Sequence, residues 1–401
     1  MEIQKTARKD PNLQIYNFDS EIKCLYKQAE LELSPRNYEL FCKFDQKMVM
    51  DSLAKAGRRK SLRTIITLTR MSGKDFDKMT RDDVNDLVFH IMQRYCDNKG
   101  QETHMSYDSK KHIRLFLRWV LTGSRYKSED GDPLEIRGIK LKMPKDRLSR
   151  EDMITTEDLK KLLNATAGDA MIKALIHVQY EAGTRPGELL NLKIKHVRGD
   201  EYGAIIAVDG KTNARPVRLI ESVPSLMAWL SVHPMRDNPE SPLWIQTFIP
   251  KFGEHMTYYV ARNKIRKVVA KSKLNKRIFM NLFRHSEATR MAGKLTESEL
   301  KKRQGWTASS KMPARYVHMV DSDVEEKILS IYGLKKDEKK DVIQSPKACP
   351  ICSFENSFEV SLCSRCGKPL DLRTSLDEEE RKKEETRMMI NEILRQQQSS
   401  I

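Results

Sequence analysis

The sequence predicts a mainly α protein with a small antiparallel β-sheet (α+β): a helical domain, a mixed domain and a small cysteine module. Three observations carry this expectation. Apolar residues recur at three- and four-residue spacing through most of the chain, the period of amphipathic helices. Residues 203–220 instead read as two strands around a Gly-Lys-Thr-Asn turn. Near the end, two Cys-x-x-Cys pairs lie close together.

The chain has 401 residues, enough for two or three domains. With 39% hydrophobic and 32% charged residues, disorder throughout is excluded. No apolar run approaches the roughly 18 residues of a membrane span, and Met1 to Asp10 has no apolar signal core. The expectation is a cytoplasmic, nucleoid-associated protein with no membrane partner. Its 73 Lys and Arg against 56 Asp and Glu give a formal charge of +17. That excess favours a polyanionic partner, because cationic side chains displace counterions from phosphates. The alternative is a protein that is merely cationic.

Residues 1–18 form a polar lead-in. Residues 19–123 read as a helical domain, with Leu62, Ile65, Ile66 and Leu68 or Ile113, Leu115, Phe116 and Val120 on apolar faces. Lys55, Arg58, Arg59, Lys60, Arg63 and Arg70 flank the first group. They fit either a solvated helix face or a face laid along DNA phosphates. Gly123, Gly131, Pro133 and Pro144 interrupt any helix and charges dominate, so residues 124–150 read as a linker. A mixed domain follows over 151–334. It opens at Thr155, with Asp158 three residues later as at a helix start. Helices are expected to Val197, then the two strands, then helices to about Tyr332. Ten Lys or Arg against one Glu between Tyr258 and Arg290 make a local basic footprint. Residues 335–347 are a charged linker, 348–371 the cysteine module, and 372–401 a charged tail. Met389, Ile390, Ile393 and Leu394 give that tail one short amphipathic stretch.

Three motifs stand out in the mixed domain. In Tyr180-Glu-Ala-Gly-Thr-Arg-Pro-Gly-Glu, a helix ends at Gly183 and another begins near Pro186, a residue suited to a first helical turn. Arg185 sits in the tight turn between them. A salt bridge from Arg185 to Glu188 is the structural alternative to a functional role. In Met280-Asn-Leu-Phe-Arg-His, Asn281 and Arg284 are three apart and face one side of a helix. Finally, Gln304-Gly-Trp306 precedes Ala-Arg-Tyr316-Val-His318. Taken alone, Trp306 reads as core and Tyr316 as packing or surface.

In this order, the three motifs resemble the catalytic domain of the tyrosine recombinase (phage integrase) family. That pattern has an Arg in a Thr-Gly-Arg-type turn, a hairpin Lys, a His-x-x-Arg helix, a Gly-His or Gly-Trp pair, and a late Tyr. Here it is met by Arg185, Lys211, Asn281 with Arg284, Gly305 with Trp306, and Tyr316, over about residues 155–333. The residues 19–123 look like the family's core-binding domain, by position and pattern. The run Lys311-Met-Pro-Ala-Arg-Tyr-Val-His318 and the cysteine tail look similar to archaeal members. The resemblance implies a C-shaped clamp on duplex DNA recombination sites. It also implies a homo-tetramer in the synaptic complex, from a protein monomeric in solution.

The residues also make chemical sense without the family. A tyrosine hydroxyl attacks phosphorus and leaves a covalent 3′-phosphotyrosine, so rejoining needs no ATP. Arg185 and Arg284 can fork onto the non-bridging oxygens, where charge grows in the transition state. Lys211, at a hairpin tip, can protonate the departing 5′ oxygen. Trp306 can donate its indole N–H to phosphate. With two fixed arginines, no catalytic metal is required. One departure stands out: Asn281 takes the place of the usual His and is neither acid nor base near neutral pH. His285 can help, or support the site from behind. Glu188 orients Arg185 or Lys211, or is a plain ion pair.

Cys349, Cys352, Cys363 and Cys366 form two knuckles with zinc-ribbon spacing, a closed set of four thiolates for structural Zn²⁺. A redox pair is the alternative. The function expected is a site-specific recombinase. The rivals are a type IB topoisomerase-like enzyme and a non-catalytic zinc-ribbon DNA-binding protein with a degenerate recombinase domain.

Overall fold

The computed structural model describes residues 15–144, 149–166, 168–209 and 214–317. Beyond these it describes 328, 329, 332, 347–349, 351, 352, 354–356, 360–370, 374, 375, 377, 378, 380, 381 and 383–389. The chain divides into two compact units, one of residues 17–147 and one of residues 1–16 with 148–401.

The first unit is helical: α1 (Phe18–Glu32), α2 (Pro35–Met50), α3 (Lys55–Ser72), α4 (Arg81–Tyr95) and α5 (His104–Thr122). Side-chain caps start most of these helices. Ser34 Oγ accepts from the Asn37 N–H just before Pro35, and Thr80 and Asp83 form a reciprocal capping box. The periodic apolar residues meet in one core, where the Phe116 ring takes Phe44 and Phe76 edge-on, each at 5.0 Å between centroids. Residues 124–144 do more than connect. Ile136 and Ile139 are buried in this core, and the buried Asp132 carboxylate accepts from Arg114 and Arg118.

The second unit begins with α6 (Thr156–Asn164), α7 (Ala170–Ala182) and the short α8 (Pro186–Leu190). A three-stranded antiparallel sheet follows, β1 (Val197–Asp200), β2 (Gly203–Asp209) and β3 (Ala214–Leu219), in that order across the sheet. The hairpin is where the sequence placed it, but β1 is an addition, because four residues ending in Gly-Asp carry no apolar alternation. Pairing of Val197 with Ile206 and Arg198 with Ile205 is what makes that segment a strand. Next come α9 (Val223–Ser231), α10 (Tyr258–Ser272), α11 (Met280–Ala292), α12 (Glu297–Gln304) and α13 (Met312–Val317). Residues 232–257, expected to be helical, are irregular; their backbone bonds run from Leu243 N to Leu192 O and from Met256 N to Trp244 O. The core gathers α7, the sheet, Trp244 and Phe283. Ile15 joins this core, and its carbonyl accepts from the Tyr258 N–H at 3.1 Å. Two two-residue strands, β4 (Lys347–Ala348) and β5 (Glu355–Asn356), pair antiparallel in the cysteine module. Among the described residues, no helix is long and apolar enough to cross a membrane.

Candidate active site

The three motifs converge on the C-terminal end of α12. Successive backbone carbonyls there each accept from a different arginine. The Arg303 carbonyl takes Arg215 Nε at 2.9 Å, Gln304 takes Arg284 Nη2 at 2.7 Å, and Gly305 takes Arg185 Nη2 at 3.1 Å. A helix C-terminus leaves its last carbonyls without helical donors and carries partial negative charge, so it is a natural seat for cations.

Arg185 is the N-cap of α8, in the turn that Gly183 closes at the end of α7. Its side chain is 35% exposed, with Nη1 donating to Glu188 Oε1 at 2.6 Å. Glu188 is buried, and its other oxygen accepts from the Arg185 N–H at 3.0 Å and from Arg215 Nη2 at 2.8 Å. Burial raises the Glu188 carboxyl, but Arg215 and Arg185 outweigh it and hold the group below the usual carboxylate range. The Arg185–Glu188 ion pair is therefore present, as one half of a carboxylate shared by two guanidiniums.

Arg284 is buried on α11, and its Nη1 donates to the Gly183 carbonyl at 3.0 Å. Burial first, and then the nearby Arg185, lower its pKa to about 10. Its guanidinium lies 5.5 Å from the centre of the Trp306 ring. Asn281, one turn earlier, is exposed. Trp306 stacks on Tyr316, with centroids 5.6 Å apart and planes 9° apart. Tyr316, on α13, is only 1% exposed, and its hydroxyl is hydrogen-bonded to His285 Nδ1 at 2.7 Å. Of the two roles open to His285, this geometry favours direct contact with the hydroxyl. Lys211 lies outside the described residues.

Beneath the arginines runs a second buried layer that sequence reasoning missed. Glu287, on α11, accepts from Arg303 Nε and Gln304 Nε2. Burial pushes its carboxyl up, with Arg303 opposing. Arg303 also donates to the Glu181 carbonyl at 2.8 Å. The only sequence signal for Glu287 was its isolation as the one acid in the basic stretch.

The basic surfaces sort differently from their sequence pattern. On α3, five of the six flanking cations are paired: Lys55 with Asp19, Arg58 with Asp45, Arg59 with Glu21, Lys60 with Asp108 and Arg70 with Glu32. That favours the reading as an ordinary charged helix face, with exposed Arg63 free of ion pairs among the described residues. On α10 and the loop after it, Arg262, Arg266, Lys267, Lys271, Lys273 and Arg277 are all exposed, and among the described residues none is ion-paired.

The four cysteines of the module come together as their spacing predicts. Their sulfurs all lie within 4.8 Å of one another, with Cys349–Cys366 at 3.5 Å and Cys352–Cys363 at 3.6 Å. A tetrahedral zinc with Zn–S of about 2.3 Å needs S–S edges of about 3.8 Å, so the donors fit that ion. Asn356 supports them, donating to Cys363 Sγ at 3.5 Å and accepting from the Ser364 N–H at 2.7 Å.

Residues 152–323 match the phage integrase family. Tyrosine recombinase XerC of Salmonella typhi is 24% identical over 182 residues, covering 45% of this chain and 57% of that protein. XerC of Escherichia coli (strain K12 / DH10B) is 22% identical over 182 residues, covering 45% of this chain and 57% of that protein. The chain thus spans little more than half the length of the curated relatives it matches. Among solved structures, a lambda integrase dimer bound to a COC′ core site superposes with a TM-score of 0.54 at 11% identity, over 70% of this chain and 76% of that one. XerH bound to a palindromic difH substrate, in a post-cleavage complex, gives 0.52 at 18% identity, over 80% and 91%. These likenesses show the fold.

Proposed function

We propose, from the match of residues 152–323 to the phage integrase family, that the protein is a site-specific DNA recombinase that cleaves and rejoins strands through a 3′-phosphotyrosine. One observation carries the reading: the Tyr316 hydroxyl, held by His285 and stacked on Trp306, stands at the same helix end that seats Arg185 and Arg284.

The Tyr316 oxygen attacks phosphorus, the bond to the 5′ oxygen breaks, and a free 5′ hydroxyl leaves. His285 Nδ1, when unprotonated, accepts the tyrosine proton, a task the exposed Asn281 amide has no basic nitrogen to perform. Arg185 and Arg284 spend some of their N–H groups on carbonyls and aim the rest at the non-bridging oxygens, already ordered when charge develops. Lys211 protonates the leaving oxygen, Trp306 donates its N–H to the phosphate, and Glu188 fixes Arg185. The phosphotyrosine conserves the bond energy, so a second 5′ hydroxyl reverses the step without a nucleotide cofactor or a catalytic metal.

In the same proposal, residues 19–123 are the core-binding domain, 151–334 the catalytic domain and 348–371 a zinc ribbon like that of archaeal members. Zinc held by Cys349, Cys352, Cys363 and Cys366 fixes the ribbon's fold and leaves no open coordination position. The unpaired cations of α10 face the phosphates of duplex DNA. A lambda integrase tetramer bound to a Holliday junction has a TM-score of 0.53 to this chain at 11% identity, which supports a tetramer as the synaptic form. A plasmid carrying two copies of the protein's own site tests the reading. Deletion or inversion products are expected. Relaxed plasmid without recombinants points to topoisomerase-like activity, and bound but unchanged DNA to a degenerate domain.

A further inference from the structure

We propose that Arg215 is a positioning residue for this reaction, a third guanidinium that sets the place of Arg185, and the N–H groups it keeps free, through the carboxylate they share. The inference rests on the recombinase reading and adds a residue outside the recognised constellation.

Arg215 lies on β3 opposite Val208, and its side chain is 10% exposed. It touches both structures that hold Arg185. Its Nη2 donates to Glu188 Oε2, while Arg185 Nη1 occupies Oε1. Its Nε donates to the Arg303 carbonyl, two residues before the Gly305 carbonyl that receives Arg185 Nη2. A carboxylate between two guanidiniums gives one oxygen to each side chain. Left with one guanidinium, it rotates to grip that group with both oxygens, the stronger arrangement. Arg215 therefore keeps Glu188 from closing on Arg185, and leaves Arg185 with N–H groups for a phosphate. It also keeps the site short of negative charge: three guanidiniums meet one carboxylate, a surplus of two that the phosphodiester's single negative charge and the second one developing in the transition state offset.

Two further observations fit this role. Arg215 Nη1 is buried with no hydrogen-bond partner among the described residues, so this guanidinium is not fully spent on the scaffold contacts it makes. The guanidinium also lies flat against Gly305. A Cβ there would sit 2.5 Å from Nη1 and 2.8 Å from Cζ, on a backbone at φ +61°. The glycine before Trp306 thus serves Arg215 as well as the turn, since any side chain would push Arg215 off Glu188.

The test compares two nicked duplexes carrying the protein's site, one with a phosphodiester and one with a neutral methylphosphonate at the cleavage position. The rate of covalent adduct formation is read for wild type, Arg215→Gln, Arg215→Lys and Arg185→Gln. A methylphosphonate brings less charge to neutralise, so a defect in Arg185 matters less on it. Arg215→Gln is expected to slow the phosphodiester by roughly tenfold or more and the methylphosphonate by less than about threefold, the same direction of change as Arg185→Gln. Arg215→Lys, which keeps the charge but loses the fork, falls between. If the Gln variant does not fold, the Lys variant carries the comparison. Equal slowing on both substrates, or none on either, overturns the proposal. Absence of any adduct from the wild type overturns the recombinase reading itself and is recognised before the variants are compared.

Discussion

Gly183→Ala tests the packing that places Arg185 and Arg284. Gly183 closes α7 in the left-handed region at φ +58°, and its carbonyl receives Arg284. For alanine that backbone costs about 1–2 kcal/mol. The added Cβ would lie 2.7 Å from Glu287 Oε2 and 2.8 Å from Glu287 Cβ. Glu287 has little room to retreat, because Arg303 and Gln304 hold both its oxygens. Forcing such an overlap into a packed interior adds about 1–3 kcal/mol. The expected loss is therefore about 2–5 kcal/mol in the unit that holds Gly183. Gly168 is the control: it has φ +84°, and a Cβ there meets nothing within 4 Å. Gly168→Ala should show the backbone cost alone. Urea unfolding followed by fluorescence reads both variants against wild type, and Gly183→Ala should also cleave DNA more slowly. A Gly183→Ala midpoint equal to that of Gly168→Ala would refute the reasoning, since the contact with Glu287 would then cost nothing.

Two further predictions follow from the buried groups. Burial holds His177 down to about 4, against an opposing pull from Glu181, and holds His112 down to about 4, with Lys60 adding to the effect. Below about pH 6.5 the unfolded chain takes up protons that the folded chain refuses. These two histidines therefore leave stability unchanged between pH 7 and 8, and each takes away up to about 3 kcal/mol as the pH falls from about 6.5 to 4; in the second unit His196, His233 and His255, also held down by burial, add to the fall. His177→Gln should flatten that fall in its own unit, and an unchanged slope there would contradict the assignment. For the cysteine module, metal analysis should find one zinc per chain and close to none in a Cys352→Ser, Cys363→Ser double variant. Retention of most of the zinc by that variant would place the ion elsewhere.

How much was legible in the sequence depended on how local the cause was. The turn around Arg185 was readable because Gly183 and Pro186 each have a positional preference of their own, and the hairpin because its apolar alternation ends in Gly-Lys-Thr-Asn. The convergence of Arg185, Arg284 and Tyr316 was legible only through the resemblance, since nothing local joins residues so far apart. Arg215 looked like any cation beside a hairpin. Its meaning comes from Glu188, 27 positions away, and from the Arg303 carbonyl, 88 positions away. The α3 cations invited a DNA reading because their acids lie 13 to 48 positions off along the chain. β1 and the irregular 232–257 were missed for the same reason. Their backbone partners, in β2 and at Leu192, are supplied by tertiary structure and not by period.

The central claim is that Tyr316 becomes covalently joined to DNA. Labelled duplex from the flanks of the protein's own gene, nicked beside each candidate cleavage position, lets the cut fragment diffuse away and blocks rejoining. A denaturing gel then shows whether label travels with protein. The account predicts an adduct for wild type, its loss in Tyr316→Phe with DNA binding retained, and a sharp decrease in His285→Ala. An adduct that survives in Tyr316→Phe, or none from DNA that the wild type binds, would contradict it.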